Sequence, residues 1–173
     1  MTDFNWNRFE VRIPVKASPK DLYKAWATRK GLEQWFLRLA EFKTASGLLR
    51  TADEYIEPGD CYKWLWHGWP DETVEIGSVT ACNGKDQLSF SFGNAGDCTV
   101  SIKNIEGEHI VELIQENIPV DEMGMRNYHL GCKTGWTFYL ANLKSVLEGG
   151  IDLRNKNEKI KSLVDSLPEL AVS

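Results

Sequence analysis

The chain has 173 residues, 42% of them apolar and 26% charged, which is the composition of a globular domain rather than a disordered segment, and is long enough to bury a core without a disulfide or a metal. A formal net charge of −5 speaks against a generic nucleic-acid binder, and no run of Lys or Arg supplies a local basic patch. No segment reaches the ~18 consecutive apolar residues of a membrane-spanning helix.

Residues 1–10 lack the basic start and apolar run of a signal peptide. The four cysteines, Cys61, Cys82, Cys98 and Cys132, form no C-x-x-C pair. A cytoplasmic protein with reduced thiols is the expectation.

Residues 9–15 alternate apolar and polar and predict a half-buried strand. Ser18 follows as a helix N-cap, with Pro19 at the first helical position and Asp21 facing the positive end of the helix dipole. Leu22, Ala25 and Trp26 form the apolar face of that helix. Thr28 caps a second short helix with Leu32, Trp35 and Phe36 on its apolar side. Residues 40–44 read as a strand, and 47–58 as an irregular excursion between the turn signals Gly47 and Pro58-Gly59.

From Asp60 the pattern becomes an antiparallel meander. Tyr62, Trp64 and Trp66 share one face by the period of 2. Residues 73–82 form the next strand, closed by the hairpin dipeptide Asn83-Gly84. Residues 88–92 alternate, Gly93–Gly96 turns the chain, and 99–103 pairs with 109–117 about Glu106-Gly107. The period then changes. Trp136, Leu140, Leu143 and Leu147 recur on one helix face, in a helix expected from about Arg126 to Glu148 and stopped by Gly149-Gly150. A helix of that length matches the width of a curled sheet. The fold class is therefore α+β: a curved antiparallel sheet wrapped around a long C-terminal helix, with two short helices after the first strand. Residues 1–154 read as one domain. The tail 155–173 carries a weaker stripe, Ile160, Leu163, Val164 and Leu167, which suits either a short amphipathic helix or a frayed end.

The chemistry-bearing motifs are sparse. His67, His109 and His129 lie far apart and make no helical pair, so neither a metal site nor a cofactor is expected. There is no nucleophile elbow, no phosphate loop and no catalytic motif, which leans away from an enzyme and leaves no catalytic residue to assign. Glu112 and Glu116 share a strand face and read as solvated carboxylates on the outer side of the sheet. The aromatics carry the signal instead. Large flat rings spaced on a curved sheet leave gaps that Leu, Ile and Val would fill, and a mostly apolar gap with a few polar tips is what a small-molecule pocket looks like. The expected lining is Tyr62, Trp64, Trp66, Phe90, Phe92, Trp136 and Leu140. Tyr62 and Gln115 would orient a ligand's polar end, and Met123 and Met125 would form an adaptable gate. Solid packing of the same rings is the alternative.

In order and spacing, several stretches resemble the START-like helix-grip superfamily, and within it the family named for the activator of the ninety-kilodalton heat-shock chaperone's ATPase. They are residues 15–19 leading into LYKAWATRKGLEQWF (22–36), GDCYKWLWHG (59–68), residues 75–79 and 88–92, and Gly135-Trp136 through LEGGIDLR (147–154). The resemblance implies an apolar cavity between sheet and final helix, and no reaction. The leading expectation is non-catalytic binding of a small hydrophobic molecule. The alternatives are a protein-interaction module, associated with a chaperone in a stress response or with a second copy of itself, and an enzyme of the cyclase or hydrolase kind using the same cavity, with His67, His109 or Glu112 as its ionisable group.

Overall fold

The structure, a computed structural model, describes residues 4–160. Ser18 caps helix α1 (Pro19–Ala27) by accepting the Asp21 amide at 3.1 Å, and Thr28 caps α2 (Arg29–Trp35) by accepting the Gly31 amide at 3.0 Å. Both helices start where side-chain oxygens satisfy amides that have no partner within the helix.

Seven strands follow the expected meander: β1 (Phe9–Pro14), β2 (Leu39–Lys43), β3 (Cys61–Leu65), β4 (Glu75–Cys82), β5 (Gln87–Ser91), β6 (Asp97–Ile105) and β7 (Glu108–Glu116). They form one antiparallel sheet in the order β1-β7-β6-β5-β4-β3-β2, so the first strand closes against the last. A register shift between Val79 and Ala81 inserts one residue into β4 and lets the sheet bend there. The excursion at 47–58 forms no helix or extended strand. It is nevertheless pinned down, by the Arg50–Asp60 ion pair and by the amide of buried Ile56 on Ala27 O at 2.9 Å.

The cross-strand registers fix which residues face inward. One row runs Phe9, Gln115, Cys98, Phe90, Val79. Two shorter rows continue across the bend as Phe42, Tyr62, Gly77 and as Ala40, Trp64, Glu75. Helix α3 (Cys132–Leu147) lies against this face with Trp136, Leu140 and Leu143 buried.

The helix differs from expectation in its first part. Residues Gly124–Gly131 are π-helical, and regular α geometry is sustained only from Cys132. The reason is local. Gly124 is packed so tightly that a Cβ there would lie 2.0 Å from Pro119 O, and buried His129 must turn its Nδ1 to the Trp6 carbonyl at 2.9 Å. A wider turn meets both constraints. The tail stripe lies outside the described residues beyond Ile160.

The outer face holds a second departure. Glu112 does face outward, but it is covered rather than solvated: Arg12 bonds it at 2.6 Å and Lys103 at 2.7 Å. Burial pushes its pKa up, but the hydrogen bond and charge of Lys103, with Arg12 behind them, outweigh this and hold the carboxyl below its usual range.

Candidate functional site

The inward rings form one connected network. Tyr62 and Trp64 stack at 3.9 Å between centroids, and Trp64 meets Phe90 edge-on at 5.2 Å. Phe92 lies 5.7 Å from Trp136, and Trp136 lies 4.9 Å from Phe36. Phe36 in turn reaches Tyr139 at 4.9 Å and Trp66 at 6.0 Å. Trp26 and Trp35, the two helical indoles, extend the network from α1 and α2 through Trp136. These spacings suit offset and edge-to-face contact. The centre of the network is fully buried, whereas Trp66, Phe92 and Tyr139 are only partly covered and make its rim. Trp66 lies one residue past the end of β3 and joins through Phe36.

Most polar tips in this network are bonded inside the protein. The sequence reading gives Tyr62 and Gln115 the task of meeting a ligand, but both are engaged. Tyr62 leans across Gly77, which has no side chain to block it, and donates its hydroxyl to Ser91 O at 2.5 Å. Gln115 accepts the Trp136 indole N–H at 2.9 Å and donates to Ala95 O at 2.8 Å. It is a strut between sheet and helix. Gln115→Leu is expected to cost about 2–3 kcal/mol, because it leaves a buried donor and a buried acceptor unpaired. The urea midpoint checks this: the variant should lose midpoint with an unchanged slope.

Two kinds of polar group are left over. The indole N–H groups of Trp26 and Trp64 are buried without a partner. Such groups are rare in folded proteins and call for a physical explanation. The other is the Glu75 carboxylate, which sequence reasoning passed over. It stands on the inward face, directly opposite Trp64 in the β3–β4 register, and its Oε1 occupies the space a side chain at Gly93 would need. No hydrogen bond or ion pair holds it among the described residues. Burial alone raises its pKa to about 6. The signal was present in the alternation Glu75, Gly77, Val79, which gives all three the same side of the strand.

An unpartnered carboxylate in this position opposes folding. Its penalty is full above pH ~6 and is relieved as pH falls from there toward the ordinary carboxylate value near 4.3. Glu75→Gln is therefore expected to raise stability at pH 7.5 by about 1 kcal/mol, allowing for the water that still reaches the group. The gain should vanish by pH ~4.5, as thermal melts across that range would record.

The family model described as "Activator of Hsp90 ATPase homolog 1-like protein" matches residues 16–148. The chain belongs to that family. No curated protein matches it by sequence. Among solved structures, the Aha1 dimer from Colwellia psychrerythraea is 21% identical, with a TM-score of 0.64 over 83% of this chain and 97% of that one. Protein SSP2350 from Staphylococcus saprophyticus is 16% identical, with a TM-score of 0.65 over 85% and 96%. DynU16, a protein of the dynemicin biosynthetic locus, is 19% identical, with a TM-score of 0.62 over 87% of this chain and 50% of its own. At these identities the likeness establishes the helix-grip fold and nothing finer.

In this member of the Activator of Hsp90 ATPase homolog 1-like family, the remaining expected site residues are spread out. Leu140 is buried one helical turn after Trp136, while Met123 is half exposed and Met125 half buried, either side of tightly packed Gly124. The three candidates for acid–base work stand apart from the rings. Glu112 is on the outer face, His109 bonds Ala17 O at 2.8 Å at the far end of β7, and His67 lies in the turn after β3. Cys98 and Cys132 are held as thiols, since burial pushes both pKa values up, that of Cys132 to about 11. Among the described residues no group of three His, Cys, Asp or Glu is placed to hold a metal ion, and no helix is long and apolar enough to cross a membrane. A shallow recess of about 370 Å³ beside the stacked Tyr23 and Tyr55 lies at the opposite end of β4 from Glu75.

Proposed function

We propose that the protein binds a small, mostly apolar molecule against the aromatic network between the sheet and helix α3, and that it does so without transforming it. The observation that carries this reading is the rim. Trp66, Phe92 and Tyr139 keep part of their rings uncovered, on a network whose interior retains unpartnered indole donors. Concave apolar surface with a few unspent polar groups is the usual character of a ligand site. The lining is Trp64, Trp66, Phe90, Phe92, Trp136 and Leu140. Tyr62 and Gln115 act from behind as supports, and Met123 and Met125 flank the entry.

The family description favours a second reading, a module that acts on a chaperone, and the dimer of the Colwellia protein favours contact with another copy of itself. Exposed Val120, Met123 and Leu130, close together in sequence at the start of the final helical stretch, would be its contact surface. Enzymatic use of the site would have to run on Glu75, because both nearby thiols are protonated and the histidines are elsewhere.

Titration with naphthalene, followed through the indole N–H cross-peaks of a ¹H–¹⁵N spectrum, tests the first reading. Saturable shifts at Trp64 and Trp136 are expected, together with a negative heat-capacity change on binding. Shifts confined to exposed residues, or none up to the solubility limit, would remove the ligand site and leave the interaction module.

A further inference from the structure

Glu75 and Trp64 face one another across β3 and β4. One offers a carboxylate with no donor, the other a buried N–H with no acceptor, and they do not bond each other. Directly opposed residues in an antiparallel pair carry their Cβ atoms only about 4.5–5.5 Å apart. Both side chains also border the same feature, the Phe92-Gly93 corner: Trp64 lies 6.4 Å from the Phe92 ring, and Oε1 of Glu75 is 2.6 Å from where a Gly93 Cβ would stand. A folded chain retains an unmet donor and an unmet acceptor on facing residues only against a cost, since each forfeits hydration.

The chemistry of the pair specifies its complement. A group that satisfies both must donate to the carboxylate and accept from the indole. A hydroxyl does this with one oxygen. A carboxylate cannot donate and is repelled by Glu75, an ammonium cannot accept, and a hydrocarbon does neither. We infer that this site selects an apolar alcohol or phenol, its hydroxyl held between the Glu75 carboxylate and the Trp64 indole N–H and its hydrocarbon body laid along Phe90, Phe92 and Trp136. The inference rests on the ligand-binding reading above and adds the class of ligand to it. A hydroxyl donating to the ionised carboxylate makes a charge-assisted bond, so the preference belongs to the pH range in which Glu75 is ionised.

The test compares 2-naphthol, naphthalene and 2-naphthoate on the full chain by calorimetry in wild type, Glu75→Leu and Trp64→Phe, and by the Trp64 indole cross-peak in the first two. Wild type at pH 7.5 should take 2-naphthol about tenfold or more tighter than naphthalene, and 2-naphthoate more weakly than 2-naphthol. The Trp64 N–H resonance should move downfield with 2-naphthol alone. Glu75→Leu should lose the preference for 2-naphthol over naphthalene, and Trp64→Phe should lose part of it. In wild type the preference should fall as pH is lowered from 7.5 to 5. Equal binding of 2-naphthol and naphthalene by wild type, or a preference that survives Glu75→Leu, overturns the hydroxyl clamp and leaves the apolar site standing. Failure of all three compounds to bind overturns both.

Discussion

Replacing Arg154 by methionine is expected to destabilise the protein by about 3–5 kcal/mol, the scale seen when one partner of a buried ion pair is removed. The side chain is almost fully buried, and all three of its nitrogens donate. Nε and Nη2 grip both oxygens of Asp152 at 2.9 and 2.7 Å, while Nη1 and Nη2 cap the carbonyls of Leu37, Glu33 and Gln34 at 3.0, 3.1 and 2.9 Å. Asn142 of α3 ties the same Asp152 to the Trp35 carbonyl. The chain after α3 is thus clamped over the end of α2. Methionine would keep the stem but strip three carbonyls of their donor and leave the Asp152 carboxylate to Lys156, Asn142 and the residue 154 amide alone. Lysine should not rescue, since one ammonium cannot reproduce a planar fork.

The effect also has a pH signature. Burial alone would raise the Asp152 pKa, but the Arg154 and Lys156 hydrogen bonds outweigh it and hold the carboxyl far below its normal range. A depressed carboxylate contributes its stability fully above the unfolded value near 4 and loses it as pH falls through the folded one. The gap between wild type and Arg154→Met should therefore be widest at neutral pH and narrow below pH ~4 in denaturant titrations. A constant gap would show that packing, and not the ion pair, sets the cost.

Gly31→Ala is expected to be at least as damaging. The two short helices touch backbone to backbone at this residue. A Cβ there would lie 2.2 Å from Lys24 O and 2.7 Å from the Ala25 Cα, against a comfortable carbon contact of about 3.5–4.0 Å. Neither neighbour is a side-chain end that can swing away. The helices would have to part, breaking the Trp35 indole bond to Ala25 O at 2.9 Å and opening the Trp26–Trp35 contact. Overpacking costs typically about 1–3 kcal/mol and more where backbone must move, so a cost of about 3 kcal/mol or greater is expected, with loss of near-UV aromatic dichroism. Gln34→Ala, on the exposed side of the same helix, should leave the spectrum unchanged and serves as the control.

Much of this was legible before any coordinates. Ser18-Pro19 and Thr28 mark helix starts by local chemistry, Asn83-Gly84 marks a hairpin, and period-2 runs place Tyr62, Trp64 and Phe90 on one face, because each of these signals acts within a few residues. Of the candidate site, the inward placement of the rings was legible and the engagement of its polar groups was not. That Tyr62 spends its hydroxyl on Ser91, two strands away, depends on Gly77 opposite it on β4, and that Gln115 serves Trp136 depends on how the helix lies on the sheet. Glu75 was readable by parity, yet a carboxylate at a strand end is usually solvated, and only the tertiary surroundings take part of its water away. The π-helical turn was hidden for a similar reason: its causes, Pro119 against Gly124 and Trp6 against His129, are contacts that helical periodicity does not encode.

The pairing of β1 with β7 sets Arg12 beside Glu112, a hundred positions along the chain. During synthesis the opening strand has nothing to pair with until the seventh strand has left the ribosome, and at about 5–20 residues per second that wait lasts for seconds or more. The nascent chain therefore carries an unmatched strand of alternating apolar residues until β7 emerges. Closure of the sheet then becomes a late, long-range step whose loop entropy slows folding, and it is the moment at which the newborn protein is most open to capture by other chains.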